Sequence, residues 1–158
     1  RLLPGGLEIE AASPIAADEI EFLDYADTQS MFARVKEAIR LCYSAGFRKH
    51  DVAIVSYHGR EQSQLLTLDR LGQTSLRHFT GEYDLFGQPV YTPGDVLVES
   101  VYRFKGQAAP AVILTEIDFD VLDDKAARKL FVGATRSAMK LVLILHQKSA
   151  ARLLERLG

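Results

Sequence analysis

The sequence predicts an α/β domain: a mostly parallel central sheet with helices on both faces. Three apolar runs predict it. DVAIVSY (51–57), AVILTEI (111–117) and KLVLILH (140–146) are short and rich in β-branched residues. Runs of this kind suit strands covered on both faces. Segments with helical spacing lie between and around them, and strand–helix alternation implies parallel pairing.

Residues 1–19 carry Pro4, Gly5, Gly6 and Pro14 among small side chains. They read as a linker, an N-terminal extension or a stray edge segment, with the domain proper at 20–158. EIEFLDY (19–25) has a weak strand alternation. Asp27, Thr28 and Ser30 are each candidate caps for a helix that runs to about Ala45. Its apolar face is Phe32, Val35, Ile39 and Cys42, and Gly46 stops it. After the first buried strand and a turn at Gly59, residues 61–71 are predicted as a helix with Leu65 and Leu68 inward, ended by Gly72. Residues 73–95 read as irregular, with a hairpin turning near Asp84–Gly87 as an option and a second turn at Pro93-Gly94. VLVESVY (96–102) is a strand, followed by the run at 111–117. A helix covers Asp124 to Phe131 or a little beyond. After the last strand, a C-terminal helix places Ala150, Leu153, Leu154 and Leu157 on its apolar side.

The bulk numbers set limits. The chain has 158 residues, enough for one domain with a real core. Nineteen Lys and Arg face twenty-one Asp and Glu, so any phosphate contacts must come from local clusters rather than from a basic surface. The lone Cys42 suits packing on its helix and a reducing, cytoplasmic setting. No apolar stretch is long enough to span a membrane, and the N-terminus is not a signal peptide. The chain begins RLLPGG rather than with Met, which points to an excised fragment or a processed product.

Ligand sites in open α/β sheets collect at the carboxyl ends of strands. Three stretches read as such ends: Tyr57-His58-Gly59-Arg60, Tyr102-Arg103-Phe104-Lys105-Gly106, and GATRS from Gly133 to Ser137. No GxxxxGK[ST] loop, GxGxxG fingerprint or Cys/His cluster of metal-ligand spacing occurs. The carboxylates Glu116, Asp118, Asp120, Asp123 and Asp124 read as a solvated loop and helix cap, with Mg²⁺ binding as the rival.

Together these stretches resemble one family: the second RecA-like domain of superfamily 1 DNA helicases of the UvrD/Rep/PcrA type. DVAIVSYHGREQS resembles helicase motif IV. ESVYRFKGQAAPAVIL resembles motif V, with its Lys-Gly core. RKLFVGATRSAMKLVLIL resembles motif VI. The resemblance spans roughly residues 20–146 and implies a three-layer RecA-like domain of the P-loop NTPase type that lacks the phosphate loop itself.

The resemblance also implies roles. Arg136 would reach the γ-phosphate of ATP held mainly by a first RecA-like domain, with Gly133 and Thr135 shaping the turn that presents it. Tyr57 would stack on adenine, with His58 or Arg60 near the phosphates. Ser100, Tyr102, Arg103, Lys105 and Gly106 would face single-stranded DNA or couple it to the nucleotide. Where motif V usually continues Leu-Glu, this chain has Gln107-Ala108, so the usual sugar contact is lost or rerouted. Each residue has a plainer rival. Arg136 would simply favour a helix C-terminus, Tyr57 would line the core, and Lys105 would be surface charge. ATP and Mg²⁺ are implied for the intact parent and not for the fragment. The rival reading is a non-catalytic nucleic-acid- or protein-binding module on a helicase-derived scaffold.

Overall fold

The computed structural model describes residues 2–3, 7–8 and 20–157. β1 (Leu2–Leu3) and β2 (Leu7–Glu8) form a small antiparallel pair within the segment expected to be a linker, the rest of which lies outside the described residues. β3 (Ile20–Tyr25), α1 (Thr28–Ser44), β4 (Val52–Ser56), β5 (Arg70–Leu71), β6 (Thr74–Tyr83) and β7 (Pro89–Tyr91) follow. The chain continues as β8 (Val96–Ser100), β9 (Ala109–Ile117), α2 (Asp124–Ala134), β10 (Ser137–His146) and α3 (Gln147–Leu157).

The main sheet has the order β3-β10-β9-β4-β8-β6-β5, with β7 on β6. From β3 to β6 the neighbours are parallel; only β5 and β7 run antiparallel to β6. All five residues of β4 are buried, as the unbroken apolar run requires. One face is covered by α1 and the segment around Leu65, Leu66 and Leu71. The other is covered by α2, by Leu153 of α3, and by Val101 and Phe104 of the loop after β8. The mostly parallel sheet with helices on both faces is the architecture the sequence predicts.

Asp27 settles the choice of cap for α1. Its Oδ1 accepts from Ser30 N at 2.8 Å, while Ser30 Oγ accepts from Asp27 N at 3.0 Å. This reciprocal pair satisfies donors that a bare helix start would leave open. Met31, Val35, Ala38, Ile39 and Cys42 form the buried face, and Phe32 is only partly covered. Gly46 reverses the chain at φ 99°.

Three expectations need correction. Residues 61–69 are turns and bends and Arg70–Leu71 is strand β5, so no helix forms there. Ser63 Oγ accepts from Leu65 N and Leu66 N, and Gln64 N donates to Glu116 Oε2 at 2.8 Å. Side-chain bonds to the backbone replace the helical ladder there. The strand expected at 96–102 stops at Ser100, because Val101 and Tyr102 turn over the sheet face. On α3, Leu153 is buried but Leu154 is 69 % exposed; the side chain of Leu157 lies outside the description. The hairpin option at 84–87 is realised: Asp84 Oδ1 accepts from Phe86 N and Gln88 N, closing the turn between β6 and β7. No helix among the described residues is long and apolar enough to cross a membrane.

The Pro93-Gly94 turn packs directly on β6. A Cβ at Gly94 would lie 2.1 Å from the carbonyl carbon of Leu76 and 2.5 Å from Arg77 N. Backbone atoms inside a sheet cannot step aside as a side chain can. We therefore expect Gly94→Ala to cost about 1–3 kcal/mol, read as a lower urea midpoint at unchanged slope. An unchanged midpoint would show that the turn is free to move off β6.

Candidate functional site

The predicted site residues fall at two opposite ends of the sheet. Ser56 pairs with Thr115, whereas Ser137 pairs with Ala109. The steps from Ala109 to Thr115 along β9, at about 3.3 Å each, put about 20 Å between those ends.

At the carboxyl end, the chain leaves β4 towards β5 and β6 and leaves β9 towards β10, so the connections diverge between these two neighbours. Here β9 carries a bulge. Leu143 pairs with Leu114 and Leu145 with Ile117, so Thr115 and Glu116 oppose one residue. Glu116 takes the left-handed conformation, φ 60°. A bulge of this kind re-aims a side chain. Its carboxyl group is buried and gathers Ser56 Oγ at 2.7 Å, Ser63 Oγ at 2.5 Å and Gln64 N. Beside it, His58 Nε2 and Asp118 Oδ1 are 2.5 Å apart. A polar cleft of about 240 Å³ opens over these groups, bordered also by Tyr25, Gln62 and His146.

Tyr57 is 4 % exposed. Its hydroxyl donates to Ala126 O of α2 at 3.3 Å, and its ring packs against Phe119. In this chain the ring is covered by its packing. Arg60 is exposed and donates to Thr80 O at 3.0 Å on the β6–β7 hairpin.

Residues 101–108 run from the carboxyl end of β8 to the amino end of β9 with no helix between. The loop starts with Val101 N donating to Ser56 O and Arg103 N donating to Ser100 Oγ. Tyr102 projects outward, 58 % exposed. Arg103 turns back: its guanidinium lies 3.8 Å from the centroid of Phe79, and its Nε is 3.6 Å from Glu99 Oε1. Glu99 in turn accepts from the Tyr91 hydroxyl. Arg103 thus holds the hairpin to the loop. Lys105 and Gly106 are exposed, with Gly106 at φ 83°.

The loop ends at the amino edge, where the third motif lies. Gly133–Arg136 precede β10 and Ser137 opens it, so GATRS does not follow a strand, which corrects its expected placement at a carboxyl end. The Arg136 carbonyl accepts from Ala109 N at 3.0 Å, tying the end of α2 to the start of β9. Arg136 Nε is buried without a hydrogen-bond partner among the described residues. Thr135 Oγ1 donates back to Phe131 O at 2.9 Å. Gly133 lets α2 approach β9: a Cβ there would stand 2.7 Å from Leu114 Cδ2. An open cleft of about 480 Å³ lies along this edge, lined by Lys49, His50, Arg77, Gln107 and Ala109 among others.

Arg136 therefore meets the start of β9 at Ala109 through its carbonyl, while Gly133 sits further along β9, over Leu114. Tyr57, His58 and Arg60 follow the strand end at Ser56, about 20 Å along β9 from the Ala109 end that Arg136 is bonded to. Sequence reasoning missed Glu116 as a hub and Lys129 altogether. Lys129 places Nζ 4.1 Å from the Tyr57 ring centroid and 4.9 Å from that of Tyr102. The acidic run also divides: Asp123 caps α2 by accepting from Ala126 N, and Asp120 pairs with Lys148 at 2.9 Å. Among the described residues no group of three His, Cys, Asp or Glu side chains is arranged to hold a metal ion.

Residues 95–144, from the eve of β8 through most of β10, match the family model of the UvrD-like helicase C-terminal domain. That stretch contains Ser100–Gly106 and Gly133–Arg136 but not Tyr57–Arg60. No curated protein matches the chain. Among solved structures, it resembles the C-terminal domain of a possible DNA helicase from Lactobacillus plantarum, with a TM-score of 0.62 and 17% identity over 89% of this chain and 81% of that one. Likeness at that identity is likeness of fold.

The His58–Asp118 pair has a consequence in acid. Burial pushes the Asp118 carboxyl up, but the hydrogen bond and charge of His58, with Lys148 beyond, outweigh it and leave the group below the usual carboxylate range. A folded pKa below the unfolded one gives stability that is present above the unfolded value and lost as pH falls through the folded one. We expect the chain to lose stability on acidification below about pH 4. Asp118→Asn should lose less over the same window. The check is a pair of urea titrations at about pH 6 and about pH 3; equal acid losses in both proteins would remove this pair as a source.

Proposed function

We propose that this chain is the second RecA-like half of an ATP-driven DNA helicase or translocase. The amino edge of the sheet would face the nucleotide, and loops at the carboxyl end would face single-stranded DNA. The observation that carries the reading is Arg136, whose Nε is buried without a partner among the described residues, within the stretch that matches the helicase model. A buried donor left unpaired costs about 1–3 kcal/mol, so a partner brought by another molecule or domain has something to satisfy. A phosphate oxygen fits that donor.

ATP held by a first RecA-like domain of the same parent would supply the phosphoryl group and, with that domain, the ligands for Mg²⁺. Arg136 would be this chain's contribution. An arginine at the transferring group stabilises charge that develops as the domains close. Gly133 seats α2 on β9, and the Thr135 hydroxyl, bonded back to Phe131, fixes the last turn from which Arg136 emerges. Lys105 and Gly106 lie on the strap between the two ends of the sheet, where DNA contact and nucleotide contact would be related. Tyr102 offers an exposed ring to a base.

A second reading has its own support. Tyr57 is packed and Gln107-Ala108 replaces the usual pair, so adenine contacts are few on this half. On that basis the chain would be a binding module without turnover.

The two readings part at Arg136. In the intact parent, Arg136→Ala should lower kcat by about 10³-fold or more while changing ATP affinity much less. Arg136→Lys should recover part of the loss, because lysine keeps the charge but not the planar fork. Circular dichroism should be unchanged. Wild-type turnover in Arg136→Ala would leave the binding module as the better reading. The isolated chain, which has no phosphate loop, should show no ATP turnover above background; turnover that responds to mutations in this chain would remove that expectation.

A further inference from the structure

Helix α2 spans the distance between the two ends of the sheet, and a single side chain midway along it touches the other end's chemistry. Lys129 is half-buried, and no carboxylate among the described residues pairs with it. Its ammonium sits between two rings, 4.1 Å from Tyr57 and 4.9 Å from Tyr102. Both distances fall within the range where a cation is attracted to a ring face. A lysine on a helix shoulder would otherwise reach into water and keep its rotamer freedom.

The two rings differ in what they can do. Tyr57 is fixed: it is buried, and its hydroxyl is bonded to Ala126 O on the same helix. Tyr102 is exposed, on a loop whose start is pinned to Ser56 and Ser100. It stands beside Gly59, where a Cβ would be 3.9 Å from the ring. Lys129 thus joins a fixed ring to an outward one.

The helix is stiffly seated beyond that point. Gly133 brings it against Leu114, and about two turns after Lys129 the chain reaches Arg136, bonded to the start of β9. A small rotation or slide of α2 would therefore be carried towards Arg136, through the cap at Thr135.

We propose that Lys129 is a positioning residue that couples a DNA base stacked on Tyr102 to Arg136 through helix α2. The inference rests on the motor reading for what lies at its two ends. A base on the open face of Tyr102 changes how that ring can sit over Lys129. The lysine and α2 follow, and Arg136 is brought to its working position. Without DNA, Arg136 is held less well, and basal turnover does not depend on Lys129.

The test uses the intact parent and an oligothymidylate. Lys129→Met keeps the stem and removes the charge. Basal ATP turnover should stay unchanged, while stimulation by oligothymidylate falls about tenfold, within the usual range of coupling between sites. Oligothymidylate affinity should change much less. Lys129→Arg should retain most of the stimulation, since arginine also stacks on rings. Tyr102→Ala should lose stimulation as well, and the double variant should lose no more than either single one. Without nucleotide, oligothymidylate should slow amide exchange over residues 129–136 in wild type and not in Lys129→Met. Wild-type stimulation in Lys129→Met, or additive losses in the double variant, overturns the coupling even where Arg136→Ala abolishes turnover. Full turnover in Arg136→Ala instead overturns the motor reading, and with it the route to Arg136. No change in wild-type exchange over 129–136 overturns the inference without reference to turnover.

Discussion

A single buried carboxyl group organises the carboxyl end of this sheet. Glu116 is turned there by a bulge that costs it a left-handed backbone, a conformation worth about 1–3 kcal/mol of strain in a residue with a side chain. In return it gathers two hydroxyls and a backbone N–H from β4 and the segment after it. Those bonds decide the path of residues 63–66, and so the placement of Leu65 and Leu66 in the core. They also fix the strand end from which His58 and Arg60 project. The polar cleft is built outward from this point.

The strands were legible because a parallel strand covered on both faces needs an unbroken apolar run, and little else in a soluble chain does. β4, β9 and β10 follow that rule. β6 was harder. It serves the main sheet over Leu76–His78 and a two-stranded hairpin beyond, so no single alternation runs its length. The segment 61–71 has the spacing of a helix, and its conformation is chosen by a partner 53 positions away in sequence. Local pattern carries no trace of such a partner.

The candidate site was legible as a set of motifs but not as a place. Whether a motif follows or precedes its strand decides which edge of a parallel sheet it occupies. Tyr57–Arg60 and Tyr102 follow β4 and β8; Gly133–Arg136 precedes β10. That order was in the sequence, and it assigns the motifs to different strand ends. Arg60 and Arg103 show a different limit. Each reads as a free cation, yet each is engaged with the β6–β7 hairpin through a carbonyl or a ring. Charge can be counted from sequence; what it is already spent on cannot.

The strand order has a consequence for how the chain is made. β3 is the first strand of the sheet, but its neighbour is β10, the last. Between β3 and β4, which α1 joins, two strands from the far end of the chain must be laid. A ribosome releasing this polypeptide therefore exposes β3 and α1 long before their hydrogen-bonding partner exists. Pairings of that separation close slowly, and unpaired edges in the interval are open to wrong partners. The growing chain would reach its final sheet as one late event, with the strand that follows Arg136 as the keystone.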